Sequence, residues 1–308
     1  MPKPRLTTPR LGRGIGGLAL ATTLLSACAS LDSGPGLAAG GNPTTTPVVG
    51  SITDAAPPLS SQQSAPPATT NETVAKPAPA WLGSRVLPTT PDGKVPPQTT
   101  PVELHDRKLA TNDTLPPPSL DQFESSISEL DGDPLARSTW HPGCPVGVDE
   151  LRYVQVVFWG FDERSHTGEL IAHRDVAEDL VEVMRSLYEA RYPIEEMRIV
   201  TPEDLNAEPT GDGNNTTVFV CRAVTNGTRF SEHAYGLAID INPFLNPYIR
   251  DGVVLPELAA AYLDRDRSAK GMVADGDLVV KAFQQIGWGW GGHWSSLKDY
   301  QHFALHNR

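Results

Sequence analysis

The 308-residue sequence has no excess of positive charge, because its 37 acidic side chains outnumber its 25 basic ones. A formal net charge of −12 argues against a nucleic-acid partner, since a phosphate backbone is bound through a basic surface. It also argues against a surface that rests on anionic lipid. The charge balance therefore favours a soluble acidic domain.

A hydrophobic run long enough to span a bilayer, about 20 residues, is missing from the N-terminal region. Residues 14–25 are apolar but too short, and four basic residues precede them, as in a secretory signal. The run ends in Leu-Ser-Ala-Cys, which resembles a bacterial lipobox with Cys28 as the lipidated residue. Residues 1–28 are thus expected to be a lipoprotein signal peptide that anchors the chain to the outer face of the membrane. An ordinary signal peptide cut nearby is the alternative.

Cysteine is scarce, with three in the whole chain. Besides Cys28, only Cys144 and Cys221 remain, and neither belongs to a Cys-x-x-Cys pair. Because the signal implies an oxidising compartment, Cys144 and Cys221 are expected to form a structural disulfide. Metal ligation or a nucleophilic thiol is the alternative.

Proline is scarce only in the second half of the chain. Of the 29 prolines, 21 lie at or before Pro134. Such composition buries too little apolar surface to fold, so residues 29–134 are expected to be a largely disordered linker. Its apolar residues after position 80 leave open whether 81–134 wraps the folded part or hangs free. The folded domain is expected at 135–308.

Hydrophobic periodicity predicts both strands and helices in this domain. Residues 151–159 alternate apolar and polar positions and predict a strand. Residues 173–191 repeat apolar residues at helical spacing, a stripe that belongs to a core rather than to a cofactor site. Weaker patterns predict strands at 197–200 and 218–222, and helices at 255–264 and 278–286. Asp277 and Gly287 are expected to cap the last helix.

The stretch 231–240 (Ser-Glu-His-Ala-Tyr-Gly-Leu-Ala-Ile-Asp) places His233 and Asp240 seven residues apart. Apolar residues alternate at its end, so Asp240 is expected to point away from the apolar layer of a strand. A second group of chemically versatile side chains, Asp299-Tyr300-Gln301-His302, lies near the C-terminus. The two groups are predicted to meet around a zinc ion.

A catalytic zinc takes three protein ligands and keeps one position open. His233, Asp240 and His302 supply such a set. Asp299, three residues before His302, is the expected general base for the attacking water. His293 and His306 are neighbouring alternatives as ligands.

Two further groups of residues complete the predicted site. Arg222 is the first choice to stabilise a developing oxyanion and Arg229 the second, although Arg229 pairing with Glu232 is an alternative reading. In the segment 288–294 tryptophans alternate with glycines, which suits a loop whose indole rings wall a pocket. Trp290 and Trp294 are therefore expected to contact substrate, with packing in a small core as the alternative.

Together the patterns Ser-x-His-x-x-Gly-x-Ala-x-Asp, Trp-Gly-Gly-x-Trp and Asp-Tyr-x-His-Phe resemble the VanY-type zinc D,D-carboxypeptidases and L-alanyl-D-glutamate endopeptidases, over residues 150–306. The resemblance implies an α+β fold, in which helices pack on one side of a small antiparallel sheet, and a peptidoglycan stem peptide as substrate. It implies zinc ligation by His233, Asp240 and His302, with Asp299 as base. It also implies that Ser231 lies near substrate or metal and that Arg222 is the family arginine. Tyr235, in the first of these patterns, is a further expected substrate contact.

The sequence departs from this pattern in two places. Gln301 stands where many members have Pro, and Ala304 stands where many have Glu, a position that can support a ligating His302. The overall prediction is an extracytoplasmic, lipid-anchored, monomeric zinc peptidase that acts on peptidoglycan peptides. A metal-binding lipoprotein that recognises the cell wall without turnover is the alternative.

Overall fold

The structure, a computed structural model, describes residues 75–91, 95–96, 98–224 and 227–307. The predicted signal peptide, Cys28 and the first part of the predicted linker lie outside the described residues. The described residues all belong to one unit, Ala68–Arg308.

A three-stranded antiparallel sheet forms the largest regular element. Strand β1 (Ser125–Glu129) pairs with β2 (Leu151–Trp159), which pairs with β3 (Ser165–His173). Strand β2 has the bounds that its alternating pattern predicts. Its apolar face joins a core cluster with helix α2 (Ala177–Glu189), whose buried stripe contains Leu180, Val183, Met184 and Leu187.

Helix α2 begins four residues later than predicted, because strand β3 extends through His173 and a turn at 174–176 follows it. Two features of β3 hide it in the sequence: Gly168 and Glu169 are poor strand formers. Gly168 is required because a Cβ there would stand 2.6 Å from the sulfur of Met197. Glu169 is buried and receives a two-pronged ion pair from Arg137 at 2.8 and 2.9 Å.

The remaining elements are short. They are α1 (Gly132–Arg137), β4 (Glu196–Met197), α3 (Pro202–Asn206), β5 (Asn215–Thr216), β6 (Ala238–Asp240), β7 (Tyr248–Arg250), β8 (Val253–Leu255), α4 (Leu278–Gln285), β9 (Gly289–Trp290), β10 (Lys298–Asp299) and β11 (His302–Ala304). Two further antiparallel sheets have the strand orders β6-β11-β9 and β10-β7-β8, and β4 pairs with β5 in parallel.

Helix α4 has the caps that its local sequence predicts. The Asp277 side chain caps α4 by accepting a hydrogen bond from the Val280 amide at 2.9 Å, and Gly287 follows the helix with a φ of 79°. Two weaker predictions were wrong. Residues 218–222 form no strand, and 255–264 contain a single turn of 3-10 helix, Ala260–Tyr262, because tertiary contacts outweigh short apolar runs.

The fold class is α+β with few helices and small antiparallel sheets, as predicted. Helices in the described part of the chain are all too short or too polar to cross a bilayer.

Residues 76–91 and 98–111, called the strap below, pack against the domain. Their Leu87, Leu104 and Leu109 are buried in a second apolar cluster with Phe244 and Tyr262. Hydrogen bonds from Lys76 to Lys108 and from Ala110 to Lys76 join the two ends of the strap. The strap therefore wraps the domain, which answers the question that the sequence left open for this region.

Candidate active site

His233 lies on a single turn of 3-10 helix, Glu232–Tyr235, that the motif residues build around it. The Ser231 hydroxyl accepts a hydrogen bond from the His233 amide at 3.4 Å at the start of this turn. Gly236 ends the turn with a φ of 69°, a left-handed conformation that favours glycine. A Cβ at Gly236 would stand 2.6 Å from the amide nitrogen of His173, so β3 could not pack here against a larger residue.

Asp240 and His302 face each other across the β6–β11 pair. The antiparallel register aligns them directly, and directly opposed residues project their side chains on the same face. Ile239, which alternates with Asp240, is fully buried in the main core, as the pattern predicted. The strand pair thus delivers two of the three predicted ligands to one face.

The three predicted metal ligands converge. His233 Nε2 lies 3.2 Å from His302 Nδ1 and 3.3 Å from Asp240 Oδ2, and His302 Nδ1 lies 3.1 Å from Asp240 Oδ1. Three ligand atoms held about 2.0–2.2 Å from one tetrahedral ion stand about 3.3 Å apart. The donor atoms therefore have the spacing and the chemistry of a divalent metal site.

The surroundings of the triad fit an ion as well. His233 Nδ1 lies 2.6 Å from the carbonyl oxygen of Val218, so this nitrogen donates to the backbone and Nε2 keeps its lone pair for a ligand. Burial would raise the pKa of the Asp240 carboxyl, but the two imidazoles outweigh burial and hold that pKa well below its usual range. Asp240 therefore stays ionised, the form that binds metal.

Asp299 lies on β10 beside the triad and lines the same cavity. Its Oδ1 atom is buried and has no hydrogen-bonding partner among the described residues. Burial, with a smaller contribution from the charge of Asp240, raises the pKa of the Asp299 carboxyl to about 7, although His302, Gln301 and Arg222 oppose the rise. An unpartnered buried carboxylate oxygen with a pKa near neutrality fits a proton acceptor for a substrate water.

Gly291 allows Asp299 to reach this position. A Cβ on Gly291 would stand 2.5 Å from the Asp299 carbonyl oxygen and 2.8 Å from its Cβ. The Trp-Gly-Gly-x-Trp segment therefore supports the predicted base through close backbone packing.

Both candidate arginines line the cavity with the triad. Arg222 is half-buried and is the arginine whose charge acts on Asp299, whereas Arg229 is exposed. Arg222 directly follows Cys221, which forms a disulfide with Cys144. The expected disulfide is thus present, and it ties down the backbone that carries Arg222.

Aromatic residues of the motifs divide between cavity and core. Trp294 lines the cavity, with its ring 5.4 Å from that of His302 and its Nε1 donating to Asn307 at 2.9 Å. Trp290 differs from the expectation: it is 4% exposed, stacks on Phe303 and does not line the cavity. Tyr235 is half-buried and also lies outside the cavity lining. Ser231 lines the cavity.

The alternative histidine ligands are engaged elsewhere. His293 is exposed and pairs with Asp275 at 2.7 Å, and His306 Nδ1 lies 2.7 Å from Glu232 Oε2. A second cluster of His141, Cys144 and Cys221 has metal-like spacing, but its two sulfurs are consumed by the disulfide.

The cavity has a volume of about 860 Å³, near the upper end of the usual range of about 300–1,000 Å³ for ligand sites. It extends beyond the predicted site and is lined by residues that no sequence motif marks, including Leu82, Gly83, Glu196, Arg198, Asp212, Arg250 and Glu257. These residues come from the strap, from the short strands β4 and β7 and from connections between elements, so only the tertiary structure brings them to the site.

Residues 225–305 match the family model for D-alanyl-D-alanine carboxypeptidases. The matched segment contains His233, Asp240, Asp299 and His302, and it supports a carboxypeptidase-like peptidase. No curated protein and no solved structure matches the chain.

Proposed function

We propose that the protein is a zinc-dependent peptidase that hydrolyses peptidoglycan stem peptides, of the D-Ala-D-Ala carboxypeptidase or L-Ala-D-Glu endopeptidase type. The observation that carries the proposal is the convergence of His233, Asp240 and His302 at 3.1–3.3 Å. Beside them lies the buried Oδ1 atom of Asp299, which has no hydrogen-bonding partner in the described part of the chain. The family match over 225–305 supports the same class of substrate.

Each residue of the site has a distinct role in the proposed reaction. His233, Asp240 and His302 would hold the zinc ion, which would supply a Lewis acid to polarise the scissile carbonyl and to make a water acidic enough to lose a proton near neutral pH. Asp299 accepts the proton of the attacking water and passes it to the leaving amine. Arg222 stabilises the oxyanion that develops on the carbonyl, and Trp294 bounds the substrate beside His302.

The proposed location follows from the N-terminal sequence. A lipid on Cys28 would hold the protein on the outer face of the membrane, and the proline-rich segment after it would place the domain in the cell wall. This location brings a monomeric enzyme to its peptidoglycan substrate and agrees with the disulfide between Cys144 and Cys221.

The test is incubation of the purified full chain with muropeptides, once with zinc and once after treatment with a chelator. The expected result is release of a defined fragment that stops on metal removal and returns on adding zinc. The fragment's mass identifies the scissile bond. Absence of any metal-dependent release from the muropeptide mixture would contradict the proposal.

Asp299→Asn separates an enzyme from a wall-recognition protein. This variant keeps the shape of the side chain but cannot accept a proton. The expected result is hydrolysis reduced by about 100- to 10,000-fold, the usual worth of a general base, with bound zinc retained. Unchanged hydrolysis would overturn the assignment of Asp299.

A further inference from the structure

The cavity of the candidate site is closed on one side by a part of the chain outside the segment that the family match covers. Leu82 and Gly83 belong to the strap, and both line the cavity that contains the metal triad. The Gly83 amide donates to Asp212 Oδ2 at 2.9 Å, which attaches this turn of the strap to a residue that also lines the cavity.

The strap is held firmly enough to act as a wall. Arg107, 3% exposed, donates to both carboxylate oxygens of Glu195 at 2.8 and 2.6 Å and to the Asp212 carbonyl at 2.8 Å. Its guanidinium also lies 4.3 Å from the centroid of the Phe244 ring. Breaking such a buried, multiply bonded pair is costly, so the strap does not swing away readily.

A short segment connects this wall to the metal triad. Asp212 contacts Gly83 at one end, and Thr217 exchanges backbone hydrogen bonds of 3.0 and 3.2 Å with Asp240 at the other. Residues 212–215 line the cavity between these points. The five peptide links from Asp212 to Thr217 span at most about 18 Å, so an extended peptide that runs from the triad along this segment meets the strap within about five residues.

We propose that the strap is a specificity-determining wall, with Leu82 as the side chain that a bound peptide meets, and that it limits the substrate to about five residues on one side of the scissile bond. The proposal rests on the proposed peptidase function and names its substrate class, a short unbranched peptide on that side. The proposed limit applies to that side of the scissile bond alone.

Two series of synthetic stem peptides test the proposal, one lengthened by single alanines at the amino end and the other at the carboxyl end. Calorimetry measures the affinity of each peptide for the full chain that carries Asp299→Asn, so that binding is measured without rapid turnover. In one series the affinity is expected to fall by at least about tenfold, or about 1.4 kcal/mol, beyond the limiting length, and in the other it stays constant.

Variants of Leu82 should change the limiting peptide length in opposite directions. Leu82→Ala removes most of the side chain and is expected to allow longer peptides to bind. Leu82→Trp enlarges the side chain and is expected to restrict binding to shorter peptides. Val86→Trp is the matched control, because Val86 is on the same strap but 80% exposed and outside the cavity lining. It is expected to leave the length profile unchanged.

The outcomes distinguish this proposal from the proposed function. Affinities that are independent of length in both series, that fall equally in both, or that do not respond to Leu82 would overturn the strap as a wall. If affinity shows a length limit but the unsubstituted chain hydrolyses no peptide, the strap remains supported as a wall and the proposed peptidase activity is overturned. Failure of every peptide to bind would overturn both.

Discussion

His302 stands directly opposite Asp240 in the β6–β11 pair, and its Nδ1 lies 3.1 Å from Asp240 Oδ1. This contact joins two parts of the chain that are 62 residues apart in sequence. It makes the strand register a condition for the metal site, since a slip by one residue would turn His302 to the opposite face.

Removal of one ligand is expected to remove the metal. His302→Ala leaves only His233 and Asp240, whereas a catalytic zinc needs three protein ligands. Bound zinc should therefore fall from one ion per chain to almost none. Elemental analysis after dialysis measures this. His293→Ala is the control, because His293 is exposed and pairs with Asp275. Zinc retained by His302→Ala would contradict the assigned triad.

The metal-free protein should lose stability as pH rises. Burial raises the pKa of Asp299 to about 7, so the folded state holds a proton that the unfolded state has released above its ordinary pKa of about 4. The contribution of Asp299 is therefore present below pH 4 and is lost between about pH 4 and 7. Denaturant unfolding in a chelator, compared with Asp299→Asn, measures it. The variant should be the more stable protein above pH 7. If the free energy of unfolding had the same dependence on pH in both proteins, the raised pKa of Asp299 would be contradicted.

The Glu169 carboxyl should have the opposite effect on the pH dependence of stability: its contribution should grow as pH rises. Burial alone would raise its pKa, but hydrogen bonds from Arg137 and Tyr153 lower the pKa below its ordinary value. Its stabilisation is thus present above about pH 4.3 and is lost as pH falls through the lowered pKa. Glu169→Gln is expected to lower the free energy of unfolding at pH 7 by about 2 kcal/mol and by less in acid.

The control for Glu169 is a carboxylate in an exposed pair. Glu182 lies 3.3 Å from Arg185 with 66% of its side chain exposed. Glu182→Gln is expected to change stability by less than about 0.5 kcal/mol, as surface substitutions usually do. Equal effects of the two substitutions at pH 7 would show that the buried Glu169–Arg137 pair stabilises the protein no more than the exposed pair does.

Loss of the disulfide should reduce stability and activity together. Cys144 and Cys221 are 77 residues apart, and opening a loop of this size is expected to cost about 2–5 kcal/mol. Because Arg222 follows Cys221, hydrolysis should fall in the Cys144→Ser/Cys221→Ser protein even where it remains folded. Thermal unfolding and kcat/KM measure the two effects, and reduction of the unsubstituted protein should reproduce both. A protein without the disulfide that keeps full kcat/KM would contradict the link to Arg222.

Gly291→Ala should reduce catalysis without removing the metal. The added Cβ would push against Asp299, and a displacement of the base by about 1 Å can lower kcat by up to about 100-fold. Gly143→Ala is the control, because its Cβ meets only the exposed His141 ring, which can turn away. Loss of zinc in Gly291→Ala would indicate a wider disruption of the site.

Several elements could be predicted because their signals are local. The alternation in β2 and the Asp277 cap of α4 depend on neighbouring residues alone. Strand β3 has no such local signal, because Gly168 and Glu169 are accommodated by contacts with Met197 and Arg137, which come from distant parts of the chain. The position of Trp290 in the core does not follow from the sequence, because glycine-flanked aromatic residues suit a pocket and a core equally well and only packing distinguishes them.

The sequence by itself determined the chemistry available to the site: two histidines and two carboxylates in motifs with recognisable spacing, and an alternation that turns Asp240 away from the core. The tertiary structure decided which atoms meet. Strand register aligns His302 with Asp240, the glycine at 291 admits Asp299, and the strap closes the cavity through Arg107 and Glu195. These relationships join residues far apart in the chain, and their energies arise from packing and buried pairing that no local pattern encodes.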